Sequence, residues 1–152
     1  MRLLIKQRVF AWGDTYDIYD EAGNVKYVVK AEIFALGHQL HVYDASGNEV
    51  GQINQKLLTL VPRFEISVEG RVWGTIKKQV TFFVPKYDID YNGWHAAGDI
   101  LGWNYEVYSG HRTVMHVSKQ WLSWGDTYTI DIADERDELD GIMLVIAIDA
   151  AN

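Results

Sequence analysis

No cysteine occurs anywhere in the chain, which excludes disulfides, thiolate nucleophiles and cysteine-ligated zinc and fits a reducing compartment, the cytoplasm. Proline is nearly as scarce. Pro62 and Pro85 are the two present, each at an expected strand boundary, where a missing amide donor costs little. Basic residues fall short of acidic ones, 14 against 21, for a formal charge of -7. Nucleic-acid binders draw affinity from cations placed on phosphates, so nucleic acid is not the expected partner. No apolar run approaches the roughly 18–20 residues that cross a bilayer. The stretch after Met1 breaks at Lys6, so neither a secretory signal nor a transmembrane segment is expected. Five histidines, His38, His41, His95, His111 and His116, show no H-E-x-x-H pairing and read as surface residues. There is no G-x-S-x-G elbow, no phosphate-cradling glycine loop and no carboxylate pair with assignable acid and base roles. No catalytic residue, metal or cofactor is therefore expected, and an enzyme with an unrecognised site ranks third among the readings.

The chain is rich in apolar residues, 48%, and in aromatics, 13%, enough to bury the core of one domain over residues 1–152. Apolar and polar residues alternate through the first 130 positions or so, the two-residue period of half-buried strands. Strands are expected at about 3–10, 15–20 and 25–36, and some eleven or twelve in all between residues 2 and 133. The tip Tyr19-Asp20-Glu21-Ala22-Gly23-Asn24 returns 24 positions later as Tyr43-Asp44-Ala45-Ser46-Gly47-Asn48, which predicts duplicated hairpins. Further tips fall at Glu69-Gly70 and Ser109-Gly110. Trp-Gly-Asp-Thr-Tyr-x-Ile occurs twice, at 12–18 and 124–130, so related strands begin near both ends of the chain. Charge is uneven along the sequence: residues 1–86 carry 11 of the 14 cations, residues 87–152 carry 12 of the 21 acids. A barrel intermixes the two halves, and the expectation is scattered solvated charge.

The tail changes character. Asp134 is placed to cap a helix over about 135–150, with Glu135, Asp137 and Glu138 at the positive end of its dipole. Residues 141–148 leave that helix apolar on every side, and such a helix must be enclosed. A final β-branched strand is the rival reading. Barrels of more than about eight strands leave a lumen that needs filling, and this chain carries its own filling.

The stretch Trp121-Leu-Ser-Trp-Gly-Asp-Thr-Tyr-Thr-Ile-Asp-Ile-Ala-Asp-Glu135 with its apolar tail, together with Gln55-Lys56-Leu57-Leu58 and Pro85-Lys86-Tyr87, resembles the LURP-one-related family over about residues 2–150. The resemblance implies a fold like that of tubby C-terminal domains and, distantly, phospholipid scramblases: a mainly β, closed barrel of about twelve strands enclosing a C-terminal hydrophobic helix. Plant members are linked to defence. Tubby domains bind phosphoinositides through basic residues, none of which matches a position here, and the cysteine-rich, lipidated character of scramblases is missing.

Three groups of residues are candidates for a site. Lys77 and Lys78, with Phe82, Phe83 and Lys86 near in sequence, are the best basic-aromatic stretch for an anionic headgroup, although alternation sends the two adjacent lysines to opposite faces. Trp12 and Trp124, with Asp14 and Asp126, are candidates for a ligand mouth; turn-forming at Gly13 and Gly125 is the favoured account. Asp131, Asp134, Glu135, Asp137, Glu138 and Asp140 offer oxygen ligands to calcium, but their spacing is not that of a calcium loop, and capping with solvated charge is expected instead. The expected function is a non-catalytic binding or adaptor protein with an unknown protein partner. The alternative is a peripheral protein binding an anionic phospholipid or phosphoinositide headgroup. Oligomeric state is not set by the sequence.

Overall fold

The computed structural model describes residues 1–7, 15–34, 37–56, 61, 63–79, 86–120 and 127–151. Twelve strands precede one helix: β1 (Arg2–Gln7), β2 (Thr15–Tyr19), β3 (Val25–Phe34), β4 (Gly37–Asp44), β5 (Glu49–Lys56), β6 (Arg63–Val68), β7 (Arg71–Gln79), β8 (Lys86–Tyr91), β9 (Trp94–Asp99), β10 (Asn104–Ser109), β11 (Arg112–Gln120), β12 (Thr127–Ile132) and α1 (Glu138–Ala150). The strands form one sheet in the order β8-β7-β6-β5-β4-β3-β2-β1-β12-β11-β10-β9, antiparallel throughout. Strands consecutive in sequence are paired in the sheet, except β8 and β9, and β1 pairs with β12 as well as with β2. The sheet curls into a nearly closed barrel. Its outer edges, β8 and β9, are joined by the turn at Asn92 and Gly93, yet no ladder links them among the described residues.

Alternation builds the wall as its periodicity predicts. On β6, Phe64, Ile66 and Val68 are buried, while Arg63, Glu65 and Ser67 lie on the outer face. The duplicated tips adopt one geometry. Asp20 accepts the Asn24 amide at 2.9 Å and Asp44 accepts the Asn48 amide at 2.9 Å, and Gly23 and Gly47 share a φ of 84° that residues with a Cβ seldom adopt. A bulge precedes each tip, between Ile18 and Tyr19 and between Val42 and Tyr43. The Glu69-Gly70 tip stands where expected; the last hairpin turns at Gly110 and His111, one residue later than the sequence suggests. The related strands β2 and β12 flank β1 symmetrically, with Ile5 facing both Ile18 and Tyr128.

α1 fills the barrel. Every residue of 141–148 is buried, Leu144 at 0% and Ile146 at 1% exposure, and the segment is α-helical throughout, which excludes the final-strand alternative. The start of the helix differs in detail from expectation. Asp134 accepts the Arg136 amide and caps a short 3-10 turn, Glu135–Asp137, and the α-helix follows from Glu138 without a side-chain cap of its own. Close approach needs small residues: a Cβ on Gly51 would stand 2.6 Å from Met143 Sδ. On the wall, one on Gly74 would lie 2.0 Å from the Asp90 carbonyl oxygen.

The acids beside the helix are not solvated. Glu138 accepts from Lys26 Nζ at 2.8 Å and from the Tyr27 hydroxyl at 2.9 Å, both on β3. Asp140 accepts from the Tyr91 hydroxyl at 3.2 Å and from Asn92 Nδ2 at 3.1 Å, where β8 turns into β9. Asp137 pairs with Arg112 of β11 at 2.7 Å. Three points around one rim thus hold the mouth of the helix. Burial pushes the Asp140 carboxyl above the usual range, and burial together with Glu138 pushes the Tyr27 phenol upward, the electrostatic cost of holding these groups inside.

Removing residues after Asp134 is expected to abolish cooperative unfolding in calorimetry, because the lumen loses its filling; a sharp transition in that truncated chain would contradict the plug. Gly74→Ala is expected to cost about 3 kcal/mol in denaturant unfolding, and Gly51→Ala about 1 kcal/mol, since a methionine tip yields where a backbone carbonyl does not. Glu138→Ala should lose about 2 kcal/mol by stranding Lys26 and Tyr27, and Glu138→Gln, which still accepts from Tyr27, about half of that.

Candidate functional site

With the interior occupied, the surfaces open to a partner are the outer wall and the rims. Strand parity sorts the candidate lysines. Lys77 is exposed on the outer face of β7, next to inward Ile76, and faces Arg63 on β6 and Asp88 on β8. Lys86 is exposed on the same outer face, opposite Gln79. Lys78 is half-buried on the inner side, opposite Tyr87. Lys77 and Lys86 therefore belong together and Lys78 does not. None of the three forms an ion pair among the described residues. Trp12 and Trp124, with Asp14, Asp126, Phe82 and Phe83, lie outside the described residues.

Two cations that the sequence reading passed over join Lys77. Lys56 ends β5, Arg63 begins β6, and the ladder sets Lys56 opposite Arg63 and Arg63 opposite Lys77. Nothing in the spacing of 56, 63 and 77 signals this. Only the register between strands brings them side by side. Lys56 has Glu65 at 3.7 Å. Arg63 Nε is buried without a hydrogen-bond partner. Asp88, the nearest acid beyond Lys77, accepts from Gln79 Nε2 at 2.5 Å.

The acidic cluster divides: Glu135 is exposed and Asp134 caps the turn as expected, Asp131 binds Arg2 at 2.6 Å and Asp134 binds Arg136 at 2.6 Å on the surface, whereas Asp137, Glu138 and Asp140 are not solvated and anchor the helix. Bonding to Arg136 holds the Asp134 carboxyl far below the usual carboxylate range. Among the described residues no group of three or more His, Asp or Glu side chains is placed to hold a metal ion.

The histidines are not uniformly surface groups. His41, 13% exposed, sits between Glu49 at 2.6 Å and Glu32 at 3.4 Å and stacks on Tyr43. The His41 contact lowers the Glu49 carboxyl. His95 stacks on Tyr108, whose hydroxyl donates to Glu106. Such contacts lock side chains on the wall. A surface groove of about 520 Å³ lies outside β3 and β4, where Lys30 rests 5.5 Å above the Tyr43 ring. No described helix is long and apolar enough to cross a membrane.

A family model described as LURP-one-related matches residues 1–149. Uncharacterized protein YxjI of Bacillus subtilis (strain 168) is 38% identical over 149 residues, covering 98% of this chain and 92% of that protein. An X-ray structure of an Arabidopsis thaliana protein superposes with a TM-score of 0.64 over 99% of this chain and 92% of the other. At 17% identity that likeness is one of fold. With the family matched almost end to end and a relative of more than a third identity across the same span, the chain belongs to the LURP-one-related family.

Proposed function

We propose that the protein is a non-catalytic binding or adaptor module of the cytoplasm that engages a protein partner through its outer wall. The observation carrying this reading is the filled interior: the lumen in which larger barrels hold a ligand contains α1, with residues 141–148 buried. A fold of this kind offers recognition on its surface, and function must then be argued from surface residues rather than from the fold. On the outer face of β7 and β8, Lys77 and Lys86 are exposed and form no ion pair among the described residues, and they make peripheral contact with an anionic phospholipid the second reading.

A photo-crosslinking residue at Gln79 is expected to trap a discrete protein in native cells, and the adduct should vanish when Lys77→Glu and Lys86→Glu are combined in the same chain. Crosslinking positions around the whole barrel that trap no protein, in cells where the chain is expressed, would end the adaptor reading. Sedimentation with phosphatidylcholine vesicles separates the two readings. The adaptor stays in the supernatant whether or not phosphatidylserine is included, whereas a lipid binder pellets with phosphatidylserine and is released by salt.

A further inference from the structure

We propose that Lys56, Arg63 and Lys77 form a binding site for a phosphate-bearing ligand, with Arg63 at its centre; this deepens the surface-binding reading by naming a chemistry for it. The argument begins with the ladder. Facing residues on neighbouring strands stand about 5 Å apart, and like charges in that relation destabilise a sheet. Elsewhere among the described residues, facing pairs of Lys or Arg with another formally charged side chain are opposite in sign: Arg2 with Asp131, Lys6 with Asp17, Lys77 with Asp88. Lys56 with Arg63 and Arg63 with Lys77 break that rule twice in succession. A row of three cations across three strands is a local conflict of the kind that natural sequences retain at functional sites.

The side chains carry the second observation. Arg63 Nε is buried and has no acceptor, although an arginine so placed ordinarily finds one. Two acids border the row and offset part of its charge, Glu65 lying 3.7 Å from Lys56 and Asp88 facing Lys77 while accepting from Gln79, which leaves three cations against two carboxylates with Arg63 between. Lys77 has no ion pair among the described residues. An acceptor with two negative charges and several oxygens would take a forked pair of bonds from the terminal Nη groups of Arg63, whose Nε is buried, while the ammonium groups of Lys56 and Lys77 close on it from either side. That is the geometry of phosphate recognition by arginine flanked with lysine point charges. A carboxylate brings half the charge and leaves the row undercompensated. The phosphate belongs either to a lipid headgroup or to a soluble phosphomonoester, and the two sources are separable by experiment.

Inorganic phosphate is titrated into the full chain in low salt while the Arg63 Nε–H and Lys77 amide resonances are followed by NMR. Saturable shifts are expected in both. Arg63→Gln should remove the saturation, Lys77→Gln should weaken affinity about tenfold, and Lys30→Gln, a cation on another part of the wall, should leave it unchanged. In phosphate-free, low-salt buffer Lys77→Gln is expected to melt close to the parent chain, because the repulsion from Arg63 and the attraction to Asp88 are lost together, so a folding defect cannot pass for lost binding. Sedimentation with phosphatidic acid vesicles, competed by phosphate, assigns the ligand to a headgroup; saturable binding of glycerol phosphate without vesicle binding assigns it to a soluble ester. Shifts that grow linearly and appear equally around Lys30 would mean a diffuse counterion effect and would overturn the site. That failure leaves a crosslinked protein partner untouched, whereas loss of the partner with phosphate binding intact removes the adaptor reading alone.

Discussion

Everything in this molecule follows from an apolar helix that cannot face water. The residues of 141–148 have no polar side to present, so the wall has to enclose them completely, and an eight-stranded barrel has no room for such an insert. Twelve strands give that room, and α1 in turn supplies core contacts that so wide a wall cannot make across its own lumen. Wall and helix thus share one core. The three carboxylates at the rim, Asp137, Glu138 and Asp140, fix the helix in rotation and depth by reaching β11, β3 and the turn between β8 and β9. Apolar burial supplies the driving force, and these directional bonds select one seating among the many that greasy surfaces allow.

Much of this was legible in the residues. Alternation marked the strands because most bury one face and wet the other, β12 with Thr127 to Ile130 all buried being an exception, and the repeated Asp-x-x-Gly-Asn tips marked hairpins because glycine relieves a left-handed φ that the turn requires. The helix was legible from its unbroken apolar run. The acidic cluster was legible only in part, in the Asp134 cap and the exposed Glu135. Glu138 and Asp140 read as solvated because their partners, Lys26, Tyr27, Tyr91 and Asn92, are 48 to 112 residues away and no local pattern announces them. His41 was misread in the same way: its carboxylate neighbours come from adjoining strands.

The candidate site shows the same limit more sharply. Lys77 and Lys78 drew notice because they are adjacent in sequence, and adjacency in a strand means separation onto opposite faces. Lys56, Arg63 and Lys77 drew none because they are scattered along the chain, and register makes them neighbours. In a sheet, surface chemistry is written across strands, so a reading along one strand finds the wall and misses what is displayed on it.

The topology has one further consequence. The first and twelfth strands are hydrogen-bonded to each other, whereas the free edges belong to strands eight and nine, in the middle of the chain. During synthesis the sheet cannot be completed until the last strand has left the ribosome, and the segment that occupies its centre emerges later still. The turn at Asn92 and Gly93 joins those two edges, with no ladder between them among the described residues. Long-range pairing of the first strand with the last is slow, and until it finishes the inner surface stays wet and adhesive, so this chain is vulnerable to aggregation mainly while it is being made.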